Sequence, residues 1–108
     1  MIIIFCLLGP PDQVRNCSVT NYTSSSLRVE CEEGYDGGLQ QKFYLEVYNA
    51  IQEYLEKNLT RLEPIFSVQD IPSSTEYLLV IYSANMKGRS SSVVIKGATE
   101  AGPRSESG

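Results

Sequence analysis

The stretch Ser26–Val47 limits what this chain can fold into more than any other. It holds two runs in which apolar and polar residues alternate. Leu27, Val29 and Cys31 fall on one side of the first run, and Arg28, Glu30 and Glu32 on the other. Phe43, Leu45 and Val47 repeat that period of two after the turn signal Asp36-Gly37-Gly38. Successive side chains of an extended strand point to opposite faces, so each run predicts a β-strand with one buried side. An amphipathic helix would need a period of 3.6, which neither run has.

The other runs fit the same pattern. Val14, Cys17 and Val19 begin a strand ahead of a polar turn, Asn21-Tyr22-Thr23-Ser24-Ser25. Gln52 to Lys57 is short and charged, which suits an edge strand. Phe66 and Val68 face inward after Pro64. Tyr77, Leu79, Ile81 and Ser83 alternate up to Asn85, and Met86-Lys87-Gly88-Arg89 reads as a hairpin loop. Val93, Val94 and Ile95 lie in a last strand, where three apolar residues in a row leave the inward register open. Seven short strands with turns between them, and no helical period, predict an all-β sandwich.

At 108 residues the chain holds one domain with a modest core, for which a covalent staple is valuable. Pairing Val19 with Val29 in an antiparallel hairpin sets Cys17 directly opposite Cys31 on the inward face, within reach of a disulfide. Cys6 lies in the apolar segment Met1–Gly9. That segment has no basic start and is too short for a signal peptide or a membrane span. It reads as a truncated signal or a gene-model artefact outside the fold. The expected organisation is residues 1–9 outside the fold, a domain over 10–99, and a flexible tail or linker over 100–108. Ala98 already opens the small, polar stretch that ends the chain.

Composition removes several functions. The chain has no histidine, which excludes His-based metal sites and Ser-His or Cys-His catalytic pairs. Its net charge is −4, with no basic run, so nucleic acid is not an expected partner. Nothing resembles a phosphate loop or a ligand cluster. No cofactor, metal or catalytic residue is expected, and the chain does not read as an enzyme. Glu30, Glu32, Glu33 and Asp36 lack Ca²⁺-loop spacing and read as a solvated acidic loop. Lys87 and Arg89 read as solvated charges at a loop tip.

Two features point to recognition. Asn16, Asn21 and Asn58 each head an Asn-X-Ser/Thr sequon, the last two in expected turns. Inward Phe43, Leu45 and Val47 leave Tyr44, Glu46 and Tyr48 outward, and inward Tyr77, Leu79 and Ile81 leave Leu78, Val80 and Tyr82 outward. Tyr44, Tyr48, Leu78, Val80 and Tyr82 are apolar or aromatic where a solvated face is usually polar, so they form a candidate protein-binding face. Tyrosine and valine also simply suit strands. Sugars confined to the other sheet would favour recognition, and sugars all round a plain spacer.

From Pro11 to Thr99 the chain resembles a fibronectin type III domain. The resemblance is carried by Pro11, Val14, Cys17 and Val19, and by Ile71-Pro72, Thr75, Tyr77, Leu79, Ile81, Ser83, Asn85 and Gly88. It implies a seven-stranded immunoglobulin-like sandwich in which Tyr77 is a tyrosine-corner residue, its hydroxyl bonded to backbone upstream. It also makes the strands bearing Tyr44 and Tyr82 neighbours. The family usually has a core tryptophan where this chain has Cys31. Asn16-Cys17-Ser18-Val19, Val29-Glu30-Cys31, Gly34-Tyr35-Asp36-Gly37-Gly38-Leu39, Phe43 to Tyr48 and Asn85 to Ser90 resemble, more narrowly, the membrane-proximal module of Sidestep-like arthropod cell-surface receptors. Those are immunoglobulin-superfamily proteins of adhesion and axon guidance. That likeness implies an extracellular glycoprotein module in a single-pass plasma-membrane receptor, with immunoglobulin domains as neighbours and a protein as partner. The segment itself would not enter the membrane. A cytokine-receptor module also pairs strand cysteines, but with closer spacing and a nearby tryptophan.

Overall fold

The computed structural model describes residues 7–102; Met1–Cys6, with Cys6, and the tail residues 103–108 lie outside the described residues. Among the described residues, eight strands form two antiparallel sheets. The first sheet holds β1 (Arg15–Tyr22), β2 (Leu27–Glu32) and β5 (Ile65–Val68), with β2 in the middle. The second holds β4 (Leu55–Arg61), β3 (Lys42–Asn49), β6 (Glu76–Asn85) and the two-residue β7 (Gly88–Arg89), in that order, with β8 (Val93–Ala98) also paired to β6. The expected seven strands become eight because the last one is split: β7 closes the hairpin after Asn85, and β8 resumes the ladder at Val93.

The core is the set of inward residues that the alternation picks out. Leu27 and Val29 of β2 and Phe66 and Val68 of β5 meet Phe43, Leu45 and Val47 of β3 and Tyr77, Leu79 and Ile81 of β6. The open register of β8 settles with Val93 and Ile95 against the core and Val94 outward, more than half exposed. Gly97 lets β8 come close to the first sheet. A Cβ there would stand 3.1 Å from Leu79 Cδ1 and 3.2 Å from Val19 Cγ2, closer than side chains ordinarily pack.

Two boundaries differ from the alternation reading, each for a local physical reason. Asn21 lies in β1 and not in a turn. A register shift between Val19↔Val29 and Asn21↔Arg28 carries the ladder on to Tyr22↔Leu27, and the turn falls at Thr23–Ser26. The edge strand runs over Leu55–Arg61 and not 52–57. The side chain of Asn49 accepts the amides of Ile51 (3.0 Å) and Gln52 (2.8 Å), so the chain turns there before it can pair. Asn58 consequently sits inside β4.

The tail also begins later than read. Ala98 ends β8 and Thr99 is buried. The Glu100 amide donates to Thr23 O (3.0 Å), while its carbonyl accepts the Ser74 amide (2.9 Å). At the other end, contacts begin one residue before the expected boundary. The Gly9 amide donates to Gly37 O (3.1 Å), and Asn85 Nδ2 donates to both Gly9 O (2.8 Å) and Asp36 O (2.7 Å). Gly37 has φ +76°, and a Cβ on it would run into the Gly9 and Pro10 carbonyls, so this strap requires glycine there.

Candidate recognition face

The outward side of the second sheet is built by pairing alone. β3 and β6 lie in register with Tyr44↔Tyr82, Glu46↔Val80 and Tyr48↔Leu78. Directly opposed side chains on one face stand close enough to interact. The rings of Tyr44 and Tyr82 are stacked, with centroids 5.0 Å apart and planes 9° apart. The Arg89 guanidinium lies 3.7 Å from the Tyr82 ring centroid, so it is held over an aromatic face and not merely solvated at a loop tip. Ala84↔Arg89 pairing across the β6–β7 hairpin puts it there. Leu78 and Val80 continue the face toward β8, where Lys96 and Val94 oppose them.

Tyr44, Tyr48, Leu78, Val80 and Tyr82 are thus brought together on one surface, each half-buried by its neighbours. The Tyr48 hydroxyl donates to Glu46 Oε1 at 3.0 Å. That bond, more than the partial burial beside it, holds the phenol above its ordinary range, since ionising it would place two negative charges together.

Alternation within β3 and β6 did not reveal three further members of this surface. Arg89 joins through the hairpin. Thr60 stands opposite Tyr44, and Asn58 opposite Glu46, because Leu59 of β4 points inward opposite Leu45. An alternation count anchored on Leu59 would have found both. Asn58, one of the three sequons, therefore lies on the same sheet face as the tyrosines, and the sequons are not confined to the other sheet. Asn16 and Asn21 lie on exposed β1. The Asn16 side chain is already engaged, its Nδ2 donating to Glu32 Oε2 at 2.9 Å.

The first sheet carries the staple. Cys17 and Cys31 are joined by a disulfide, with Cα atoms 4.0 Å apart, and both side chains pack against the core. The acidic residues diverge. Glu30 pairs with Arg28 at 3.4 Å on the surface, Glu32 takes Asn16, and Asp36 Oδ1 accepts the Gly38 amide at 2.8 Å. Among the described residues, no three metal-ligating side chains gather.

Tyr77 closes the corner between β5 and β6. Its ring is fully buried and its hydroxyl donates to Pro72 O at 3.1 Å. Burial is the main reason its phenol is held above the ordinary range. Pro72 O also accepts the Thr99 hydroxyl at 2.8 Å, so Tyr77→Phe leaves that carbonyl partnered. The substitution should cost about 1 kcal/mol, the usual net value of a hydrogen bond, with no added penalty because the acceptor stays satisfied. The sign of its pH dependence is set by the raised phenol. That contribution is intact below the ordinary tyrosine pKa of about 10 and fades as pH rises through the higher folded value. Urea melts of both proteins at pH 7 and across the alkaline range check this; equal alkaline slopes would mean that Tyr77 does not contribute.

No protein-family model matches the chain, and no curated protein matches it. Solved structures do. Domains d3-d4 of the rat CD45 extracellular region are similar with a TM-score of 0.76 and 22% identity, over 85% of this chain and 51% of that one. The fibronectin type III domain of the human collagen alpha-1(XX) chain is similar at 0.72 and 17%, over 90% of this chain and 93% of that one. The fibronectin type III domain of human fibronectin type III domain containing protein 3 is similar at 0.73 and 18%, over 91% and 94%. The chain spans about half the length of the CD45 fragment. At these identities the likeness establishes the fold: an all-β sandwich of the fibronectin type III type.

Proposed function

We propose that this chain is a non-catalytic extracellular module of a cell-surface receptor of the adhesion or axon-guidance type, and that it recognises a protein through the outward face of β3 and β6. The observation that carries the reading is the continuous aromatic and aliphatic row on that face, with Tyr44 stacked on Tyr82 and Arg89 over Tyr82. Tyrosine and arginine are enriched at protein interfaces, and the solvent side of a sheet is ordinarily polar, so a contiguous, partly exposed apolar row there supports a contact role. The Cys17–Cys31 disulfide supports an oxidising, extracellular setting. The rat CD45 neighbour, an extracellular region, is in keeping with it.

A spacer role between immunoglobulin domains and the membrane is the second reading, and two features favour it: sequons lie on both sheets, and the ends of the fold lie apart. Gly9 is held beside Asn85, at one end of β6, and Glu100 beside Ser74, just before its other end. At about 3.3 Å per strand residue, the ends of the fold lie roughly 30 Å apart at opposite poles, as an in-line spacer needs.

The Tyr44→Ser/Tyr82→Ser double variant separates the two. It gives up ring stacking of about 0.5–1.5 kcal/mol and keeps the core. Recognition predicts that association on beads displaying the secreted domain weakens by about tenfold or more, equivalent to about 1.4 kcal/mol. Association that is measurable and equal in the two proteins would remove the face and leave the spacer.

A further inference from the structure

The aromatic stack on the second sheet has two ends, and they differ. Arg89 of β7 lies over the Tyr82 ring, while Tyr44 stacks on Tyr82 from the β3 side. β3 lies between β6 and β4, so the remaining face of the Tyr44 ring looks toward β4. There Thr60 stands directly opposite Tyr44, and Asn58 lies one outward position further along, opposite Glu46. Asn58 and Thr60 are the first and third residues of the sequon Asn58-Leu59-Thr60; both are exposed, and Leu59 between them packs against the core. The sequon is therefore presented outward at the β4 end of the stack.

We infer that Asn58 carries an N-linked sugar whose first ring lies against the β4 side of Tyr44, beside Thr60, and covers the β4 edge of the tyrosine face. Diagonal neighbours on paired strands are about 7–8 Å apart, a gap that a sugar ring on Asn58 Nδ2 spans. The C–H side of an N-acetylglucosamine ring is apolar and weakly positive, and an aromatic face is negative, so the two attract. The same contact takes apolar surface on Tyr44 out of water. The placement of the sugar rests on strand register and ring orientation. Its consequence, that glycosylation limits access to the face, rests on the recognition reading above.

The test uses the whole chain secreted from eukaryotic cells behind an added signal peptide. Ser18→Ala and Asn21→Gln remove the other two sequons, and an endoglycosidase trims the remaining glycan to a single N-acetylglucosamine. Peptide mass spectrometry should find Asn58 occupied. Proton NMR should show the N-acetylglucosamine signals shifted upfield by the ring current of Tyr44, with Overhauser contacts from sugar to tyrosine ring that require no variant. Tyr44→Phe should keep the shift and Tyr44→Ser should abolish it. An unoccupied Asn58 in folded protein, or sugar signals without shift or ring contact, would overturn the inference. Failure of the recognition reading is read separately from Asn58→Gln: if that unglycosylated protein still does not associate, the face does not bind a second copy of this chain, and the sugar's position stands on its own data.

Discussion

Replacing Cys17 and Cys31 together with alanine is expected to lower the thermal midpoint by on the order of 10–25 °C. The bond closes a loop with a sequence separation of 14, for which chain entropy gives about 3 kcal/mol of stabilisation. For a domain this small, each kcal/mol moves the midpoint by about 4–8 °C. The location adds to the effect. β1 is an edge strand, paired to β2 with two register shifts, and its side chains are mostly exposed. Its hold on the core comes from Cys17 and Val19, with Val14 just before it. The paired substitution avoids a stray thiol and removes two small apolar groups along with the covalent tie. Scanning calorimetry of the variant and of the reduced, alkylated parent measures the change. A drop of less than about 1 kcal/mol in both would mean that the hairpin is held by its ladder alone, and would take away the main support for an oxidising compartment.

A cut of similar size is expected from Phe66→Ala. β5 has only four residues, and it holds its side of the first sheet through Val29↔Phe66 and Leu27↔Val68. Phe66 is fully buried. Truncating a buried phenylalanine costs about 3–5 kcal/mol, because the lost transfer energy adds to that of the cavity left behind. Against a total stability of about 5–15 kcal/mol, this removes roughly a fifth of the margin or more. Phe66→Leu keeps most of the volume and should cost markedly less. Denaturant melts of the two variants give the comparison. Equal losses would show that the site depends on ring shape and not on filled volume, contrary to a core that packs by volume between the sheets.

The contrast between these variants and Tyr44→Ser/Tyr82→Ser follows from where the rings lie. Phe66 is enclosed by both sheets, whereas Tyr44 and Tyr82 are half-buried against each other and their neighbours on the outward, solvent-facing side of the second sheet. Removing the surface pair should change association far more than stability; removing Phe66 should do the reverse.

Much of this could be read from residues in order, because a strand's inward side is a local property with a period of two. Val29 and Leu45 had to point one way and Arg28 and Tyr44 the other. Once Val19 was set against Val29, Cys17 had to face Cys31, and the disulfide in the structure joins that pair. The outward tyrosines followed from the same count. What alternation could not decide was where pairing starts and stops, and what then comes together across strands far apart in the chain. The Asn49 side chain caps a turn, delays β4, and so carries Asn58 into a strand. Arg89 reaches Tyr82 only because a two-residue strand forms after Lys87. Thr99 and Glu100 belong to the fold because Pro72, Thr75, Ser74 and Thr23 supply hydrogen-bond partners that no nearby residue advertises. Local sequence determined which side of each strand is buried; only the tertiary ladder decided that a sequon, an aromatic stack and a guanidinium share one face, since that depends on register between segments distant in sequence.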